Sequence, residues 1–190
     1  MSKLLPRFFL ALFIILPLSP VQASEYDVAL NVFRNAGESG RYFDNSYGYA
    51  LFPTISKGGF VIGGAYGEGR VYEQGRYVGD TAMTQASIGL QIGGQAYSQI
   101  IFFRDQRAFN EFTSGNFEFS AEASAVGIRA GASAQATTTG ASTTTSRSQT
   151  KARTTSKGYY KGMAIFTVAK GGLMLQAAVA GQKFSYRPGR

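Results

Sequence analysis

The sequence predicts a β-dominated α+β fold: one domain of mostly antiparallel sheet, an N-terminal helix and a short mid-chain helix. Three observations carry this. The 190 residues include 24 glycines and only 16% charged side chains, and glycine is costly inside helices but useful at turns, bulges and close strand contacts. Beyond residue 47 the apolar content falls in β-branched and aromatic runs cut by glycine. Helical periodicity is confined to two short stretches.

The chain opens with a leader. Lys3 and Arg7 precede the unbroken apolar run Phe8–Leu16, Pro17 and Pro20 follow, and Val21-Gln22-Ala23 places small side chains at −3 and −1 of a cleavage site. These are the three regions of a secretory signal peptide, residues 1–23. The run is far below the ~20 residues that cross a bilayer, and without cysteine no lipid can be attached through a lipobox. Removal leaves residues 24–190 with 17 − 11 = +6 net charge. A basic, exported chain is expected, in the periplasm or at the outer-membrane periphery.

In the mature chain Ala29, Val32, Phe33 and Ala36 follow the i, i+3, i+4, i+7 rule. Glu25 and Asp27 sit near the start and Arg34 near the end, as the helix dipole prefers. Gly37 and Gly40 are expected to stop this helix. Strands are expected at Tyr49–Phe52, Gly59–Gly63 and Gly69–Tyr72, then a hairpin turn at Glu73–Arg76 leading into Tyr77–Gly79. Ala86–Ile92 and Ala96–Phe103 are further strands. A helix fits Asp105–Thr113: Asp105 caps it, Ala108, Phe109 and Phe112 share a face, and Gly115 follows as a stop. Phe117-Glu118-Phe119 alternates as a brief strand, and strands resume from Gly158 to Tyr186.

Between them the composition shifts. Residues 130–157 are mostly Ala, Ser, Thr and Gly, with Arg147, Lys151, Arg153 and Lys157 and no acid. Two readings stand: a flexible basic arm that buries little apolar area, or a Thr-rich hairpin extending beyond the core.

Composition excludes much chemistry. With no histidine and no cysteine there is no Ser-His-Asp triad, no Cys-His nucleophile, no imidazole or thiolate zinc site and no disulfide. Gly64–Gly69 is glycine-rich, but no Gly-Lys-Ser/Thr follows and Arg70-Val71-Tyr72 reads as a strand, so it is no phosphate loop. The nearest carboxylate pair, Glu118 and Glu122, would stand ~13 Å apart on a strand, too wide for a glycosidase. No catalytic residue, metal or cofactor is expected. No nucleic-acid partner is expected either.

Two echoes run through the chain. Gly48-Tyr49-Ala50-Leu51-Phe52 with Lys57-Gly58-Gly59-Phe60 parallels Gly162-Met163-Ala164-Ile165-Phe166 with Lys170-Gly171-Gly172-Leu173. Ile62–Tyr66 parallels Ile92–Tyr97. Similar strand-turn-strand units account for both. A sharper reading sets Lys57 and Lys170 at one end of the sheet, with the basic arm reaching the same surface.

The run Phe52-Pro53-Thr54-Ile55-Ser56-Lys57-Gly58-Gly59-Phe60, then Tyr66-Gly67-Glu68-Gly69, then Gly89-Leu90-Gln91-Ile92-Gly93 resembles the SYLF lipid-binding domain family. Ala108–Phe112 with Phe117–Phe119, and Gly158–Met163, continue the resemblance over residues 28–184. It implies a binding domain rather than an enzyme. Eukaryotic members of that family bind phosphoinositide membranes and, in fungi, actin. An exported bacterial chain would instead meet phosphatidylglycerol, cardiolipin or lipopolysaccharide. The expected function is therefore non-catalytic binding to anionic lipid through Lys57, Lys170, Arg147, Lys151, Arg153 and Lys157. The alternative is a structural or protein-interaction module of the cell envelope, with a protein partner there.

Overall fold

The computed structural model describes residues 23–59, 62–88, 95–120, 123, 125–128, 159–170 and 179–189. The leader up to residue 22 and the stretch 129–158 lie outside the described residues, and with them the expected signal peptide and both readings of the basic stretch.

Helix α1 (Glu25–Asn35) begins at Ser24, whose hydroxyl accepts from the Asp27 N–H while the Asp27 carboxylate accepts from the Ser24 N–H. This reciprocal pair satisfies N–H groups that have no partner inside the helix. The helix ends at Asn35, but Gly37 and Gly40 do not simply stop it. They bound a second helical turn, α2 (Gly37–Gly40), followed by α3 (Tyr42–Asn45). Ala36, extended at φ −81° and ψ 126°, makes the break.

Eight strands follow: β1 (Gly48–Gly59), β2 (Ile62–Glu73), β3 (Arg76–Ile88), β4 (Gln95–Phe103), β5 (Phe117–Glu118), β6 (Val126–Ile128), β7 (Met163–Lys170) and β8 (Lys183–Pro188). Helix α4 (Gln106–Phe112) joins β4 to β5. The strands form one curled sheet in the order β5-β8-β3-β2-β1-β4-β7-β6, antiparallel throughout except for β6 against β7. The expected α+β architecture is present.

Several strands are longer than glycine punctuation suggested. Gly59–Gly63 is not one strand: it spans the end of β1 and the start of β2. Tyr77–Gly79 and Ala86 belong to a single β3, and residues 89–92 of the expected Ala86–Ile92 strand lie outside the described residues. The Glu73–Arg76 hairpin is as expected, with Gln74 at φ 48° and Gly75 at φ 80°, the two left-handed positions of a two-residue turn.

The glycines of β2 make the curl possible. A Cβ on Gly69 would lie 2.6 Å from the Phe52 ring, and one on Gly67 would lie 2.6 Å from Ile55 Cγ1. Their absence lets β1 side chains sit directly over β2, so Phe52 reaches Phe184 of β8 at 5.6 Å between ring centres. Pro53 occupies a bulge where the β1 register shifts against both neighbours. Proline cannot donate to a ladder, so a bulge is where a strand tolerates it. The Pro53 carbonyl accepts from the Ser98 hydroxyl at 2.7 Å.

Two cores result, one on each face. The inner face gathers Phe52, Ile55, Met83, Ile101, Phe103 and Phe184 with Phe109 and Phe112 of α4. The outer face of β1, β4 and β7 carries Leu51, Ile100, Phe102 and Phe166 beneath Ala29 and Phe33 of α1 and Tyr42 of α3. Inside the curl, the Gln99 and Gln182 amides bond reciprocally at 2.9 and 3.2 Å, and Gln182 Nε2 also donates to the Tyr97 hydroxyl at 3.1 Å. Both glutamines are fully buried.

Candidate functional site

A surface that binds an anion needs cations, so the charged residues define the candidate site. The described residues carry eleven Lys and Arg against ten Asp and Glu, 11 − 10 = +1. The stretch 129–158 contains Arg129, Arg147, Lys151, Arg153 and Lys157 and no acid. Nearly all the positive excess of the mature chain therefore lies there, outside the described residues.

Lys57 and Lys170 do flank one end of the sheet, on either side of β4. Lys57 is in register with Gln95, and Lys170 with Ala96. The rows are adjacent, however, and successive residues of a strand point to opposite faces. Lys57 follows Ile55 on the inner face. Lys170 shares the row of Ser56 and Ala96 on the outer face, where its ammonium donates to Thr54 Oγ1 at 2.5 Å. Thr54 in turn donates to Glu25 of α1 at 3.3 Å. The two lysines thus share an end but not a face, and one of them braces the N-terminal helix.

A second group of cations lies at the opposite end, where β4 passes into α4 and the chain enters β7. Asp105 caps α4 by accepting from the Ala108 N–H at 3.0 Å. That bond, with Arg104 and Arg107 nearby, holds its carboxyl below the usual carboxylate range. Arg104 pairs with Asp105 at 3.2 Å, and Arg107 with Glu111 at 3.1 Å.

Above them Tyr160 and Met163 exchange two backbone hydrogen bonds, both 2.9 Å, around Lys161 at φ 50° and Gly162 at φ 83°. The turn is fixed to the segment leading into α4 and to the helix itself: the Arg104 N–H donates to Gly162 O at 2.8 Å, and Arg107 Nη2 to Lys161 O at 3.3 Å. Gly162 cannot be replaced without strain, because its Cβ would lie 2.9 Å from both Ala108 Cβ and Arg107 Nη2. Tyr159 packs edge-on to Tyr42 at 5.3 Å, and burial pushes its phenol up to about 12.

Arg104, Arg107 and Lys161 were not singled out from the sequence. The available signal was the Lys161-Gly162 dipeptide after two tyrosines, a two-residue-turn pattern that displays its first side chain. Glu118, the nearest described candidate for carboxylate chemistry, is exposed and faces Lys183 at 3.7 Å; Glu122 lies outside the described residues. Among the described residues no helix is long and apolar enough to cross a membrane.

Comparison with known proteins gives two findings. The family model Ysc84, described as Las17-binding protein actin regulator, matches residues 84–187, just over half of the chain. That range contains the second half of the sheet, α4 and the Lys161 turn. Beta cell expansion factor A of Aeromonas veronii is 28% identical over 178 residues, covering 88% of this chain and 59% of that protein. The chain therefore spans less than two thirds of that relative's length.

Proposed function

The chain belongs to the Ysc84 (SYLF) family of binding domains, and from that premise we propose that it is an exported envelope protein that binds anionic lipid surfaces without catalysis. The periplasm or the outer-membrane periphery is its place of action, and phosphatidylglycerol, cardiolipin or lipopolysaccharide supplies the anion.

The carrying observation is the partition of charge. A folded body with eleven cations and ten acids has little long-range pull on a membrane. The 129–158 stretch adds five cations and no acid, and basic residues near an anionic leaflet contribute about 1 kcal/mol each. Arg147, Lys151, Arg153 and Lys157 are the contacts in this reading, and Lys57 and Lys170, which do not share a face, add little to it. The contact is a surface one, so it is screened over ~8 Å at physiological salt.

Flotation of the exported chain with phosphatidylglycerol and with phosphatidylcholine vesicles tests the proposal. Binding to the first only, lost as salt rises, supports it. Equal flotation with both would remove the electrostatic basis.

A protein-interaction module of the envelope is the second reading. The description of the family model, which names a protein partner, favours it. Absence of flotation with any anionic vesicle, together with a cross-linked envelope protein, would put it ahead.

A further inference from the structure

Resting on the lipid-binding reading above, we infer that the Tyr160–Met163 turn, flanked by Arg104 and Arg107, is the end of the molecule that meets the anionic lipid surface. The Lys57/Lys170 end faces away.

Four observations converge on this end. Lys161 sits at φ 50°, a conformation that side chains bearing a Cβ rarely adopt and that asparagine or glycine takes more readily. The chain nevertheless keeps a lysine there, at the tip of a turn locked to Arg104 and to Arg107 of α4 by two hydrogen bonds. Strain retained at a rigidly held exposed position points to a use for the side chain. Among the described residues Lys161 pairs with no carboxylate; its ammonium lies 5.6 Å from the centre of the Tyr160 ring.

Tyr160 is the second observation. It is 37% exposed beside that cation, and tyrosine prefers the headgroup level of a bilayer. Third, Arg104 and Arg107 flank the turn with side chains 58% and 61% exposed. Against Asp105 and Glu111 the group of Arg104, Arg107 and Lys161 keeps a net positive charge. Fourth, the basic stretch rejoins the described chain at Tyr159, so one of its two attachments is at this end, the other being Ile128, in register with Val168 of β7.

Among the described residues, the other end lacks these properties. Lys170 is engaged with Thr54, and Lys57 points to the opposite face, so the two cannot present a common plane.

The chain contains no tryptophan, which makes a single-tryptophan reporter unambiguous. Tyr160→Trp marks the proposed contact. Tyr66→Trp marks the other end, since Tyr66 is exposed and in register with Ser56, next to Lys57. With phosphatidylglycerol vesicles the emission of Tyr160→Trp should shift to the blue, and that of Tyr66→Trp should not. Lys161→Asn relaxes the turn while removing the cation. Its midpoint of thermal unfolding should not fall, and its vesicle affinity should drop about five-fold, the effect of one surface cation. Lys57→Glu should stay within about two-fold of wild type.

A blue shift for Tyr66→Trp alone, or wild-type affinity for Lys161→Asn, overturns the assignment of this end while leaving lipid binding intact. Failure of the unmodified chain to float with phosphatidylglycerol vesicles overturns the lipid-binding reading and this inference with it.

Discussion

The two faces of the sheet are built on different principles. The inner face is closed: phenyl and aliphatic groups meet across the curl, β2 contributes glycine where a side chain would collide, and the Gln99 and Gln182 amides at its centre are bonded to each other. The outer face is tiled. Helices α1 to α3 pack mainly on β1, β4 and β7, and towards β2 and β3 the contacts loosen to tyrosines and charges, such as Arg70 over the rings of Tyr26 of α1 at 4.2 Å and Tyr77 at 5.7 Å. The difference teaches where substitutions are expensive: additions and unpaired groups should be costly inside the curl and cheap outside it.

The largest expected effect is Gly69→Val. Its Cβ would meet Phe52 at 2.6 Å and Leu51 O at 2.8 Å, and neither can retreat, since Phe52 is held against Phe184. A loss of about 3 kcal/mol or more is expected by urea unfolding, the upper range for overpacking. The matched change outside, Ala82→Val on the uncovered part of β3, should stay within about 0.5 kcal/mol. Equal losses would break the contrast.

Alkaline pH gives the next effect. Burial pushes the Tyr97 phenol up to about 12 against an ordinary value near 10. The unfolded chain releases this proton first, so stability is unaffected below pH ~10 and falls as pH rises from there to about 12. The loss from Tyr97 is on the order of 2–3 kcal/mol. Tyr97→Phe should flatten the pH profile of unfolding over that window, although Tyr159, also at about 12 but less deeply buried, will retain a weaker slope.

Breaking the amide pair is expected to cost less. Gln182→Leu leaves the buried Gln99 amide without its partner, for about 1–3 kcal/mol. Replacing both glutamines with leucine should cost less than the sum of the single changes, because no orphaned group remains. Strict additivity would show that the two side chains act separately.

The smallest effect belongs to the outer face. Arg70→Gln removes its contacts with Tyr26 and Tyr77 and should cost about 0.5–1 kcal/mol, as exposed cation–ring contacts do.

This contrast explains what was legible in the sequence. Helix α4 was readable because its signals are local: Asp105 caps it, Ala108, Phe109 and Phe112 share its buried face, and Gly115 at φ 101° follows it. The Gln74-Gly75 turn was readable for the same reason. The long strands were not. Gly67 and Gly69 interrupt the β-branched pattern and read as breaks, yet they are there because another strand's side chains press on the backbone. That is a tertiary cause with no local trace.

The opposed faces of Lys57 and Lys170 were hidden likewise. Which face each takes depends on the register of β1 and β7 against β4, which no spacing within either strand reveals. The cations of the Lys161 turn were missed because a single lysine in a turn has no pattern; the strain at φ 50° is visible only in three dimensions.

The central claim, that the folded body is nearly neutral and the 129–158 cations bring it to an anionic surface, is tested most directly by reversing Arg147, Lys151, Arg153 and Lys157 to Glu. Vesicle flotation with phosphatidylglycerol should be measured at low and physiological salt, with circular dichroism confirming an unchanged fold. The account predicts that the four-fold variant stays at the bottom of the gradient at both salts while the parent chain floats at low salt. Flotation of the variant equal to that of the parent would contradict it.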